Sequence, residues 1–87
     1  MVALECRMAT VRRLNRSRIA MYFGDHPPPH FHVITVSAEE IQIEIETLAV
    51  IKGEADPRDT AEALEWAASN KEELRARWRE YSEESKP

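Results

Sequence analysis

All three histidines of this chain fall in one stretch, Asp25-His26-Pro27-Pro28-Pro29-His30-Phe31-His32. His30 and His32 flank Phe31. Alternate side chains of an extended strand share a face, so the two imidazoles point one way and Phe31 points the other, toward a core. The proline run is stiff, and stiffness lowers the entropy cost of holding Asp25 and His26 at a fixed distance from that strand. Three kinds of chemistry fit this pattern. Two imidazoles on one face, with His26 or Asp25 closing the set, suit a divalent transition metal held by three ligands and a water. Histidine titrates near neutral pH, so the same imidazoles can pair as general acid and base. Attack of a ribose 2′-hydroxyl on its phosphodiester needs that pairing. Alternatively, the rings bond loop carbonyls and pin the proline turn. His26, His30 and His32 are thus the candidate catalytic and metal-ligating residues.

The elements that must position them follow from hydrophobic period. Ile19, Met21 and Phe23 alternate with Arg18, Ala20 and Tyr22, a strand that leads into the loop at Gly24. His30–Val36 is the next strand, with Ser37-Ala38-Glu39 as a turn. Glu40–Glu46 alternates most cleanly: Ile41, Ile43 and Ile45 face inward, and Glu40, Gln42, Glu44 and Glu46 face water. Across such a pairing, Glu44 or Glu46 could orient a histidine, although solvated surface carboxylates are the better account of each. Leu48-Ala49-Val50-Ile51 is a further short apolar stretch, and Thr10–Asn15 a weaker early strand. The period then becomes helical. Asp56-Pro57 reads as N-cap and first helical residue, followed by Ala63, Leu64 and Ala67. Asn70 with Glu73 resembles a capping box that opens a second helix bearing Leu74, Trp78 and Tyr81. Trp66 and Trp78 are expected as core anchors. The fold class is therefore α+β: a small antiparallel sheet of three to five strands, covered on one face by one or two C-terminal helices.

Composition bounds the function. With 87 residues, 43% hydrophobic and 32% charged, the chain has the make-up of one ordinary globular domain. No apolar run approaches the roughly 20 residues that cross a bilayer, so no membrane role is expected. The single cysteine, Cys6, cannot form an internal disulfide, and a cytoplasmic location is expected. The net charge of −4 argues against general nucleic-acid binding, which rests on neutralising phosphates. Charge is uneven, however. Arg7, Arg12, Arg13, Arg16 and Arg18 face one acid, Glu5, in the first quarter. Arg12, Arg13 and Arg16 are therefore binding candidates for RNA or DNA, or they line the wet side of an edge strand. Gly24 and Gly53 are the only glycines, which excludes glycine-rich nucleotide loops.

The run Arg18-Ile19-Ala20-Met21-Tyr22-Phe23-Gly24-Asp25-His26-Pro27-Pro28-Pro29-His30-Phe31-His32-Val33 resembles the hallmark of domain-of-unknown-function family 4160, small bacterial proteins. The Ile41-Gln42-Ile43-Glu44-Ile45 strand, Glu65-Trp66, and Asn70-Lys71-Glu72-Glu73-Leu74 with Trp78 extend the likeness over about residues 8 to 80. The resemblance implies one half of a toxin–antitoxin-like two-gene module that acts through a small protein partner encoded nearby, and a homodimer is compatible with it. The implied functional positions are Asp25, His26, His30 and His32, with Tyr22 and Phe23 flanking. It also implies a start at Met8, which makes Met1–Arg7 an N-terminal extension, residues 8–82 the domain and residues 83–87 a frayed tail. The alternative activity is a histidine-dependent RNase or a metal-dependent hydrolase centred on His30 and His32.

Overall fold

The computed structural model of the protein describes residues 8–84, so the expected Met1–Arg7 extension and most of the tail lie outside the described residues. Five strands come first: β1 Met8–Arg13, β2 Ser17–Tyr22, β3 His30–Thr35, β4 Glu40–Glu44 and β5 Val50–Lys52. Two helices follow, α1 Pro57–Ser69 and α2 Lys71–Glu84. All strand pairs are antiparallel and the spatial order is β1-β2-β3-β4-β5, a meander in which each strand pairs with the next in the chain. This is the α+β architecture expected from strands first and helices after.

The alternation in the sequence becomes the two faces of the sheet. Phe31 lies opposite Ile43, and Val33 opposite both Ile19 and Ile41. With Met21 and Ile45 these residues form a core that the helices close with Ala63, Ala67, Leu74 and Tyr81. Burying one such Phe or Ile side chain stabilises the fold by roughly 1.5–3 kcal/mol. The small alanines of α1 let the helix approach the sheet closely.

Polar clamps fix the helices in place. The Asp56 carboxylate caps α1 by accepting from the Arg58 N–H at 2.9 Å, with Pro57 behind it, as the sequence suggested. The β1–β2 hairpin grips the same helix. Arg16 places Nε and Nη2 on Oδ1 of buried Asp59 at 2.8 and 2.6 Å, and Asn15 donates twice to Glu62. Arg12 lies over the Trp66 ring, 5.9 Å from its centroid. On the other side Arg75 forks onto Glu46 at 2.6 and 3.0 Å, and Lys71 Nζ donates to the Glu46 carbonyl.

Two local expectations are corrected. Asn70 does not open α2 through a capping box; its Nδ2 turns back to donate to the Trp66 carbonyl at 2.8 Å, closing α1 instead. The β4 strand stops at Glu44 rather than Glu46, because the Glu44–Leu48 segment folds into a turn. There the Leu48 N–H donates to the Glu44 carbonyl, the Thr47 hydroxyl to the Glu44 carboxylate, and Leu48 takes a left-handed φ of 62°. The apolar stretch after it becomes a strand only from Val50. Gly53, at φ 90°, ends β5 against β4: a Cβ there would collide with the carbonyl oxygen of Glu40.

Among the described residues no helix is long and apolar enough to cross a membrane.

Candidate metal centre

The register of β3 turns Phe31 and Val33 to the helices and His30 and His32 to the opposite face. That face is not wet at this point. The two imidazole side chains are only 5% and 3% exposed. The Tyr22 ring covers His32 at 4.4 Å, and the Trp78 ring of α2 covers His30 at 5.1 Å. The two imidazoles lie 5.2 Å apart.

The loop between β2 and β3 supplies the rest. Gly24 takes a left-handed φ of 73°, a conformation that glycine adopts without a Cβ penalty, and its N–H donates to the Tyr81 carbonyl on α2. The chain thereby turns back and brings Asp25 over the histidine pair. Asp25 is held by the His26 N–H, which donates to its Oδ1 at 2.9 Å. The other oxygen, Oδ2, lies 2.9 Å from His30 Nε2 and 3.0 Å from His32 Nε2. The proline run, whose Pro27–Pro28 bond is cis, carries the chain to β3, and the Ile45 N–H donates to the Pro29 carbonyl at its end.

Both outer ring nitrogens are also held. His30 Nδ1 lies 2.7 Å from the Pro28 carbonyl oxygen and His32 Nδ1 lies 2.8 Å from Glu40 Oε2. The Tyr22 hydroxyl donates to that same Glu40 oxygen at 3.1 Å. A carbonyl oxygen can only accept, so His30 must carry its proton on Nδ1. A neutral His30 then presents a bare lone pair on Nε2, facing a carboxylate oxygen. Two acceptors at 2.9 Å repel unless a cation lies between them. The approach has the closeness of an ion pair but not the direction of a hydrogen bond, and His30 Nε2 is left buried without a hydrogen-bond partner. His32 has carboxylates on both sides, and its Nε2 is in hydrogen-bond geometry with Asp25 Oδ2 at 3.0 Å.

Protons on both Nε2 atoms would satisfy the oxygen, at the cost of two imidazolium ions packed side by side out of water. A divalent metal satisfies it with both rings neutral. The ligand atoms of Asp25, His30 and His32 all lie within 4.8 Å of one another. Ligand atoms around a tetrahedral ion with bonds of about 2.0–2.2 Å are separated by roughly 3.4 Å, and the two carboxylate–imidazole spacings of 2.9 and 3.0 Å are somewhat shorter than that. Each ligating histidine would donate its outer N–H to a carbonyl or carboxylate, the arrangement that fixes tautomer and ring orientation in metal sites. Burial pushes the Asp25 carboxyl up. The hydrogen bond to His32, the His26 N–H and the charges of His30 and His32 when those rings are protonated outweigh it and hold the group below its ordinary range.

Among the sequence candidates, the structure gathers Asp25, His30 and His32, with Tyr22 in support. It leaves the His26 ring exposed, contributing only its backbone N–H, because Asp25 occupies the inward position of the loop. Arg12 and Arg16 are committed to Trp66 and Asp59, whereas Arg13 is exposed on the hairpin. Neither expected glutamate reaches a histidine. Glu44 stands opposite His30 in register but accepts from Thr47, and Glu46 is held by Arg75. The residue that sequence reasoning missed is Glu40. It stands opposite Ile34, one diagonal step from His32, and the tight turn before it is the signal that sets this register.

A family model described as a domain of unknown function, DUF4160, matches residues 17–79. No curated protein matches the chain, and no solved structure does.

Proposed function

The chain belongs to the DUF4160 family, and from its geometry we propose that it is a metal-dependent hydrolase whose divalent transition metal is held by His30 Nε2, His32 Nε2 and Asp25 Oδ2. One observation carries this reading: two buried imidazoles place Nε2 on one carboxylate oxygen while both Nδ1 atoms are held from behind. Imidazole and carboxylate together suit zinc, iron or manganese rather than calcium. Three protein ligands leave positions for water, and a metal in such a site lowers the pKa of that water toward neutrality. A cleft lined by Glu40, Gln42, Lys52 and Gly53 lies beside the centre, with Gln42 directly opposite His32. Metal-free acid–base cleavage is less well supported, since every ring nitrogen of the pair already faces an oxygen.

The test is elemental analysis and calorimetric titration of untagged protein against the His30→Ala/His32→Ala double variant. Stoichiometric metal lost in the variant is the expected result. Wild-type protein that takes up no transition metal from a chelator-free buffer would overturn the reading.

A second reading, action through a small protein partner in a two-gene module, is favoured by a different observation. Val50 and Ile51 are 53% and 43% exposed on the edge strand β5, where backbone groups are open to pairing. Co-expression with the neighbouring gene tests it: a stable complex lost in Ile51→Lys is expected, and recovery of the chain alone counts against it.

A further inference from the structure

At the far end of the same sheet face lies a cleft of about 270 Å³ whose lining includes Arg13, Ser17, Arg18, Ile34 and Thr35. One feature of it is unexplained by folding: Arg13 and Arg18 stand directly opposite one another across the β1–β2 pair. Like charges in that relation repel and destabilise a hairpin. Among the described residues neither arginine has an ion pair with a carboxylate. Arg18 donates through Nη1 to the Thr10 hydroxyl and leaves further guanidinium N–H groups for a ligand. Two opposed guanidiniums on one face of the hairpin are the donors that an oxyanion requires, and arginine matches phosphate geometry with paired N–H groups.

The register places this cleft relative to the metal centre. Arg13, Arg18, Ile34 and Glu40 form one row across four strands, each opposite the next. Ala20, His32 and Gln42 form the next row on the same face. Two strand residues advance by roughly 7 Å, so the rows are neighbours. Half-buried Ile34 lies between the arginine pair and the centre and offers an apolar surface to a sugar or base.

We propose that Arg13 and Arg18 bind a backbone phosphate of single-stranded nucleic acid that runs along this face to the metal centre. The proposal rests on the hydrolase reading for its direction and names the substrate class of that site. The acidic remainder of the chain fits a local phosphate clamp rather than a general affinity for polyanions.

The experiment is fluorescence anisotropy with a short fluorescein-labelled single-stranded RNA, in chelator so that nothing is cleaved. Inorganic phosphate is followed in parallel by amide NMR shifts. The proteins are wild type, Arg13→Gln/Arg18→Gln and, as a control, Arg58→Gln, whose partner is Asp56 on another surface. The arginine double variant is expected to bind RNA about tenfold more weakly, with a salt dependence shallower by about 1 in slope. Arg58→Gln leaves affinity unchanged. Unchanged RNA binding in the arginine double variant overturns the proposal, as does a wild-type protein that binds neither probe. Phosphate binding at the pair without RNA binding overturns the polynucleotide assignment. Metal titration of the same proteins separates the two readings. RNA binding that depends on the arginines in a protein without metal affinity sinks the metal centre and leaves this site standing.

Discussion

On the helix-covered face of β3, Phe31 and Val33 are fully buried among Ile19, Ile41, Ile43 and Leu74. On the opposite face of the same six residues, His30 and His32 are buried almost as deeply, among a carboxylate, two aromatic rings and a loop carbonyl. The first environment needs only shape and volume, and a hydrophobic residue of similar size would serve. The second excludes water from groups that gain nothing by leaving it. Such burial is tolerated when every polar atom has a partner, and here the Nε2 atom of His30 has none of its own. One face of the strand thus holds the fold together, and the other holds Asp25, His30 and His32 in one geometry.

The contrast can be broken experimentally. The largest effect is expected from Phe31→Ala, which should cost about 3–5 kcal/mol through lost contacts and a cavity. Urea unfolding reads it. A domain of this size has about 5–15 kcal/mol in total, so the variant should sit near its unfolding limit. Metal should then stabilise the wild type by about 2.7 kcal/mol at a free concentration a hundred times its Kd, and leave the His30→Ala/His32→Ala variant unmoved. Thermal melts with and without zinc measure this. Equal shifts in both proteins would mean that the ion binds elsewhere.

A subtler break is Glu40→Gln, which removes the charge behind His32 without removing a ligand. Metal affinity should fall about tenfold to a hundredfold while the metal-free protein keeps most of its stability. A loss of stability with unchanged affinity would make Glu40 a structural clamp alone. The smallest effect concerns pH. The folded Asp25 carboxyl lies below its ordinary value of 3.8. Its contribution to stability is therefore complete above that value and is lost as pH falls through the lowered one. Asp25→Asn should flatten this part of the acid-unfolding curve of the metal-free protein, seen by circular dichroism; an unchanged curve would mean that Asp25 is not held as an ion.

Much of this was legible in the residues. The isoleucine alternation of Glu40–Glu46 and the Asp56-Pro57 helix start were sufficient to place a sheet under helices. The same-face relation of His30 and His32 needed only a strand. What was not legible depends on how loops close. Whether Asp25 or His26 faces the pair is decided by the backbone turn at Gly24 and by its tether to Tyr81 on α2, a residue far along the chain. Glu40 was hidden among three glutamates of identical alternation, Glu40, Glu44 and Glu46, and only the strand register singles it out. The pairing of Asn70 with Trp66 competed with a capping pattern of equal local merit.

The meander order also sets a time course. A sheet in which each strand meets its sequence neighbour closes short loops first, and chains rich in such contacts fold fast. His30, His32 and Glu40 are carried by the β3–β4 hairpin and come together early, whereas Asp25 takes its place over the pair only when α2 arrives, since Gly24 is tethered to Tyr81 and Trp78 covers His30. Stopped-flow refolding should show metal slowing unfolding with little effect on the folding rate; a metal effect on the folding limb would place assembly of the centre before the helices dock.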